Sequence, residues 1–375
     1  MILVINSGSS SVKYELIDAE GPTRHQAGKI ERIGEPGSPY PGHAAALEKV
    51  AEEVAPHAGR LTAVGHRVVH GGAAFTGPVL IDDDVVKQIE EAVPLAPLHN
   101  PSNLAGIEVM RRLHPGLPQV AVFDTAFHST LPPAARTYAI DREVAERAGV
   151  RRYGFHGTST AYVSRVAAEM VGKPDMANVI VLHLGNGASA SAVSAGRCVD
   201  TSMGMTPLEG LVMGTRSGDV DPGVIFHLIR GGMTPDEVEE MLVHRSGLYG
   251  LCGDNDMRTV LDRVAAGDDE AALAYNVYCH RLRKYIGAYT AVLGRVDVIA
   301  FTGGVGENSA PVRRKVLSGL APMGIRLDPT RNSSVRGARL VSADDSAVAV
   351  AVVPTDEELE IAIETAAVVA RTNSE

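Results

Sequence analysis

The sequence predicts an α/β protein of two domains built on related halves, and three observations carry that reading. The chain has 375 residues, long for one domain and ordinary for two. Segments with strand periodicity alternate with segments of helical periodicity. One local plan also occurs twice: an apolar strand, a turn of Gly, Ser and Asn, and a second strand that alternates apolar and small or polar residues. It is read in MILVINSGSSSVKYELID (1–18) and in VIVLHLGNGASASAVSAG (179–196).

The elements follow in order. An apolar run over 1–5 stops at Asn6, passes through SGSSS to Lys13, and alternates again at Val12, Tyr14 and Leu16. In GHRVVHGG (65–72) the paired valines and flanking glycines favour a strand, with Arg67 and Val69 on one face and His66 and His70 on the other. VFDTAFH (122–128) is an apolar run leading into Asp124. TSTAYVSRVAAEMVGKP (158–174) has a Ser/Thr start, helical spacing and a Gly-Pro stop, so a helix is predicted. A long amphipathic helix is predicted over 268–294, ending at Gly294. VDVIAFTGGVGENS (296–309) places a third glycine turn after a buried strand, ahead of a helix carrying Val312, Val316 and Leu317. A last helix, 355–372, opens with Thr355 and acidic residues.

Composition narrows the function. Hydrophobic residues make up 45% and charged residues 21%, enough for sizeable soluble cores. The net charge of −10 argues against nucleic acid or an anionic membrane as partner, so an anion must be held by local arginines and backbone amides. Cys198, Cys252 and Cys279 are isolated, without C-x-x-C, and read as small buried thiols in a reducing compartment. The short apolar start gives no signal-peptide pattern, and the uncharged stretch 177–196 is too polar to span a bilayer. The expected location is the cytoplasm.

The glycine turns are the first candidate chemistry. Small residues let backbone N–H groups approach a phosphate, hydroxyls add donors, and Lys13 adds a charge. An ordinary tight hairpin is the alternative for any one of them. No G-x-x-x-x-G-K-[ST] occurs, and the G-x-G-x-x-A at Gly185, Gly187 and Ala190 opens an alternating strand where a dinucleotide site needs a helix. His66 and His70 lack a third ligand, which disfavours zinc. The Arg67/Val69 face sets a cation beside an apolar wall, suited to a small carboxylate with a short alkyl tail; a surface arginine on a strand edge is the alternative. Asp124 follows an apolar run, where α/β folds commonly place catalytic or metal-binding carboxylates. His156 precedes a helix start, and Arg216 sits in the glycine-rich MGTRSGDVDPG (213–223). Each is ambiguous alone; together they describe a phosphoryl-transfer site.

On these residues the chain resembles the acetate kinase family, within the superfamily of acetate and sugar kinases, heat-shock ATPases and actin. LVINSGSSSVK, VLHLGNGASASAVSAG, RRYGFHGTS, MGTRSGD, FTGGVGEN and TDEEL match that family's blocks in order over essentially the whole chain. The resemblance implies two ribonuclease-H-like (actin-like ATPase) domains, each a βββαβαβα core, enclosing a cleft. The first would comprise 1–128 plus 359–375, and the second, with the adenosine site and a dimer interface, 129–358. It implies an ATP site at Lys13, His183, Leu184, Gly185, Asn186, Gly187, Asp256, Met257, Arg258, Gly304, Val305, Gly306, Glu307 and Asn308. It implies Mg²⁺, or Mn²⁺ in its place, at Asn6 and Glu357. Arg67 would bind the carboxylate, and Asp124 would be the active-site aspartate. His156 and Arg216 would stabilise the transferring phosphoryl group, and Val69, Leu98, Phe155 and Pro207 would form the methyl pocket. The reaction implied is reversible transfer between ATP and acetate by in-line attack of the carboxylate, in a cytoplasmic homodimer.

Two positions depart from the family pattern: Thr160 replaces the usual His after FHGTS, and Asp356 replaces Asn in TNEE. The rival readings are a propionate or butyrate kinase of the same family and a non-metabolic actin-like ATPase. One methylene is worth only ~1–3 kcal/mol of discrimination, so chain length stays open at this stage. The carboxylate-site residues weigh against the ATPase.

Overall fold

The structure, a computed structural model, describes every residue except Ser9, Glu20, Val335, Asn373 and Glu375. The chain divides into two compact units: Met1–Ser129, Gly157–Ser159 and Asp356–Glu375 in the first, Thr130–His156 and Thr160–Thr355 in the second.

The first unit is organised by six strands, β1 (Ile2–Ser7), β2 (Ser11–Asp18), β3 (Thr23–Glu31), β4 (Ala63–Val68), β5 (Val79–Leu80) and β6 (Gln119–Phe123), in the order β3-β2-β1-β4-β6-β5. The second has β7 (Asn178–Leu184), β8 (Ala188–Ser194), β9 (Arg197–Thr201), β10 (Val298–Thr302), β11 (Arg339–Leu340) and β12 (Ala349–Val352), in the order β11-β12-β10-β7-β8-β9. Both sheets have the same plan. Three antiparallel strands come first, two parallel strands extend them, and a two-residue antiparallel strand closes the edge. This is the duplicated ribonuclease-H-like order that the resemblance implies, visible directly in the pairing.

Strand periodicity explains how the first sheet is covered. β1 is apolar throughout because both its faces are buried. Leu3 and Ile5 face the helices His43–Val54 and Asn100–Leu113, meeting Leu47, Val50 and Met110. Ile2 and Val4 face the opposite way, onto Ile361, Ala362 and Val368 of the helix Glu357–Thr372. That last helix follows β12 in sequence but belongs to the first unit.

Both predicted hairpins form, and Ala188–Ser194 is a strand, which removes the dinucleotide reading. The segment 158–174 is helical as Gly157–Met170, and 268–294 as Asp269–Leu293, capped by Asp268. The third glycine segment is corrected. It is not a turn but a short helix: after β10 the chain passes through Gly303, at φ +76°, into the helix Gly303–Asn308. A Cβ on Gly303 would lie 2.8 Å from the Leu184 carbonyl oxygen, so glycine is required there. Because β10 and β12 are parallel, the connection between them must cross over, and helices serve that purpose. The three cysteines are buried, and among the described residues none forms a disulfide. Among the described residues no helix is long and apolar enough to cross a membrane.

Candidate active site

In the first unit, three charged or amide side chains emerge at the carboxyl ends of three adjacent parallel strands, where open α/β sheets place ligands. These are Asn6 on β1, Arg67 on β4 and Asp124 just after β6. Arg67 donates from Nε to Asp124 Oδ1 at 3.0 Å, from Nη2 to Asp124 Oδ2 at 2.5 Å, and from Nη1 to Asn6 Oδ1 at 3.2 Å. Thr158 adds a longer bond to Asp124 Oδ1 at 3.4 Å. The backbone is pinned as well: the Gly157 N–H donates to the Asp124 carbonyl at 2.9 Å, and a Cβ on Gly157 would lie 2.1 Å from that oxygen.

Glu357, first residue of the last helix, reaches Arg67 Nε at 3.8 Å. Burial pushes its carboxyl up to about 7, and the neighbouring Asp124 and Glu358 carboxylates add to the shift. Arg67 is held charged against its own burial by Asp124 and Glu357. Lys13 pairs with Glu358 at 2.7 Å. The described residues form no ready-made group of three His, Cys, Asp or Glu ligands. The set nevertheless fits Mg²⁺. Asn6 and Glu357 offer hard oxygen donors, Asp124, Glu357 and Glu358 outnumber the cations Arg67 and Lys13, and Mg²⁺ is commonly held by one or two carboxylates plus phosphates and water.

In the second unit the carboxyl end of β7 delivers His183 and Leu184 to the turn Gly185-Asn186-Gly187, closed by the Gly185 N–H on the Gly187 carbonyl at 3.0 Å. The Asn186 carbonyl accepts from the Gly214 N–H at 2.9 Å, tying the MGTRSGD loop to the turn. His156 is held in the left-handed region, at φ +57°, a conformation uncommon outside glycine that concentrates at functional positions. Its Nδ1 lies 2.9 Å from Ser189 Oγ, and its ring stacks on His183 at 4.3 Å. A Cβ built on Gly187 would sit 3.5 Å from His156 Nε2 and 3.6 Å from Arg216 Nη1, so both side chains border the turn, and glycine keeps that space open. Arg216 donates to the Pro207 carbonyl at 3.1 Å, and burial lowers its proton affinity. Among the described residues no carboxylate pairs with it. A half-buried guanidinium without a counter-charge among the described residues, beside a glycine turn, can receive an anion.

A cavity of about 800 Å³ adjoins the same turn. Of the residues implied for ATP, Gly185, Asn186, Asp256, Met257, Arg258, Gly304, Val305 and Asn308 line it. The others lie outside its lining. Leu184 and Gly306 lie beneath the surface. Glu307 accepts from the Gly303 N–H at 2.9 Å and the Thr355 N–H at 3.2 Å, which buttresses the segment. Lys13 lies in the first unit, engaged with Glu358. Val69 and Phe155 are buried, whereas Leu98 is 63% exposed. Val69 and Leu98 belong to the first unit, Phe155 and Pro207 to the second.

Several residues were missed by sequence reasoning. Asn103 accepts from the Val69 N–H at 3.0 Å and donates to the Ser7 carbonyl at 2.7 Å, bracing the ends of β4 and β1. Two asparagines buried in the first turns of an otherwise apolar helix face (Asn100 and Asn103) were the available signal. Leu261 and Asp262 line the cavity one turn beyond Met257 and Arg258, a spacing that would have found them. Ser189, the partner of His156, left no mark in the sequence.

A duplicated α/β core with charged groups gathered at the carboxyl ends of its parallel strands defines an actin-like protein that handles phosphate. The chain belongs to the acetokinase family, whose model matches residues 1–363. Among curated relatives it is 60% identical to the acetate kinase of Streptomyces avermitilis, over 98% of this chain and 97% of that one. Among solved structures it is similar to the acetate kinase of Porphyromonas gingivalis, at 42% identity and TM-score 0.94, over 98% of this chain and 99% of that one. It is also similar to a propionate kinase of Francisella tularensis, at 41% identity and TM-score 0.91, over 97% of this chain and 98% of that one.

Proposed function

We propose that the protein is an acetate kinase, transferring the γ-phosphoryl group of ATP to acetate and running the reverse reaction from acetyl phosphate and ADP. The observation that carries this reading is Arg216, a guanidinium with no carboxylate partner among the described residues, beside the glycine turn that the cavity adjoins. The 60% identity with the Streptomyces enzyme supports acetate as the acceptor.

Acetate is already ionised at neutral pH, with carboxylate pKa values near ~4, so no general base is needed. The task is to bring one anion onto another in line with the leaving oxygen. Arg67 orients the carboxylate, and the Asp124 contact holds its guanidinium in one plane. Val69, Leu98, Phe155 and Pro207 are assigned to the methyl group. Arg216 and His156 take up charge on the equatorial oxygens, with His156 fixed by Ser189. The cavity residues hold the adenosine. Asn6 and Glu357 would hold Mg²⁺, which supplies charge neutralisation on the phosphates when bound.

A homodimer is part of the proposal. The helix Pro222–Arg230 has no buried residue despite its apolar sequence, and Phe226 is 58% exposed, which supports a partner surface. Sedimentation should give twice the chain mass, and Phe226→Glu should shift it toward the monomer. Location in the cytoplasm completes the reading.

The test of activity is phosphorus NMR of the purified chain with ATP, Mg²⁺ and acetate. A resonance of acetyl phosphate rising as the γ-phosphate falls supports the proposal. Inorganic phosphate as the sole product removes it.

A further inference from the structure

Among the described residues Glu357 makes one ionic contact, a long one to Arg67 at 3.8 Å, so its neighbours must help to set its position. Asp356 caps the last helix, its Oδ1 accepting from the Leu359 N–H at 3.1 Å and its carbonyl from the Glu360 N–H at 3.1 Å. The same Oδ1 receives Arg24 Nη2 at 2.5 Å. Arg24, on β3, also donates from Nε to Glu15 Oε2 at 2.8 Å. Glu15 Oε1 lies 3.4 Å from Lys13 Nζ, and Lys13 Nζ lies 2.7 Å from Glu358 Oε1. The result is a line of alternating charges, Asp356, Arg24, Glu15, Lys13, Glu358, that begins and ends on either side of Glu357.

The sequence builds this line simply. Lys13, Glu15 and Ile17 share one face of β2, and Ile17 packs with Ile361 of the last helix, so the polar pair points the same way. The Glu15 side chain is only 9% exposed, so its charge would be costly without both cations. Asp356 Oδ1 is consequently occupied twice, by a backbone N–H and by Arg24.

We propose that Arg24 and Asp356 are positioning residues that hold the Glu357 carboxylate in place for a divalent cation, acting through the Arg24–Asp356 ion pair. The proposal rests on the kinase reading insofar as Glu357 is taken as a metal ligand. Partners of metal ligands typically carry 10–100-fold in affinity, and a partly exposed ion pair sits at the low end. Arg24→Gln is therefore expected to weaken binding of Mn²⁺ by about three- to tenfold. Asp356→Asn keeps a competent cap, because Asn caps as well as Asp, yet removes the charge partner. It should match Arg24→Gln, and the double variant should be no weaker than either single one. Arg24→Lys should recover part of the loss.

The experiment titrates Mn²⁺ into the full chain and follows free Mn²⁺ by its EPR signal. Mg²⁺ dependence of acyl phosphate formation and thermal midpoints are recorded for the wild-type chain and all four variants. Weakened Mn²⁺ binding with non-additive single variants, and a rise in the KM for Mg²⁺ larger than the fall in kcat, supports the proposal. Mn²⁺ affinity unchanged in Arg24→Gln, or lost additively, overturns it, as does a drop in thermal midpoint with affinity intact. Acyl phosphate formation absent from the wild-type chain overturns the kinase reading, while the Mn²⁺ titration still decides the positioning role.

Discussion

Arg67 and Asp124 are joined at two points, Nε to Oδ1 at 3.0 Å and Nη2 to Oδ2 at 2.5 Å, across the carboxyl ends of β4 and β6. Thr158 adds a bond to Oδ1 as well, which supports the proposed role of Asp124 in orienting its neighbours. Arg67→Lys keeps the charge and loses the fork. It is expected to lower kcat/KM for acetate by about 10²-fold while leaving the KM for ATP within about twofold. Steady-state kinetics with each substrate varied checks this, and equal effects on both substrates would argue against a carboxylate role.

Arg216 predicts a different signature. Among the described residues no carboxylate pairs with its guanidinium, which on the proposed reading leaves its charge for the charge that develops during transfer. Arg216→Ala should reduce kcat by about 10²–10³-fold, the usual worth of one well-placed donor, with nucleotide affinity largely kept. Calorimetric titration of ADP alongside turnover separates the two, and near-normal turnover would sink the assignment.

Gly157 is a stability prediction. A Cβ there would lie 2.1 Å from the Asp124 carbonyl oxygen, a backbone atom that cannot swing aside. Gly157→Ala should cost about 2–4 kcal/mol and displace Asp124. Urea unfolding measures the loss, and a midpoint equal to that of wild type would show that the backbone yields.

His66 gives the pH dependence a sign. It is buried and bonded to Gln119 at 2.8 Å, and burial lowers its pKa from 6.5 to about 4. Between those values the unfolded chain binds the proton and the folded chain does not, so stability rises with pH in that window. The contribution is fully present above pH 6.5 and is lost as pH falls through about 4, to a total of about 3 kcal/mol. His66→Gln should flatten the acid limb of stability against pH between those limits. An unchanged slope would remove His66 from the account.

The two halves of the fold were legible because each begins with the same hairpin, and a glycine turn between alternating strands has few other uses. Arg67 and Val69 shared a face by strand periodicity alone, and the structure keeps Val69 buried beside the end of β4. The helical state of Gly303–Asn308 was not legible, because its glycines read as a turn and the parallel crossover that demands a helix is a property of the sheet. Arg313 was missed for a similar reason. This arginine, 1% exposed, donates to the Gly306 and Glu307 carbonyls at 2.7 and 2.9 Å and braces that helix, yet in sequence it resembles any basic residue on a helix surface. The line from Asp356 to Glu358 through β2 and β3 joins residues more than 300 positions apart, beyond any local pattern.

The central claim is that a short carboxylate accepts the phosphoryl group, and the acyl hydroxamate assay tests it most directly. The purified chain is given ATP, Mg²⁺ and hydroxylamine with acetate, propionate, butyrate or no acid. The account predicts hydroxamate formed best with acetate, falling as the chain lengthens. ATP hydrolysis in every tube with no hydroxamate would contradict it.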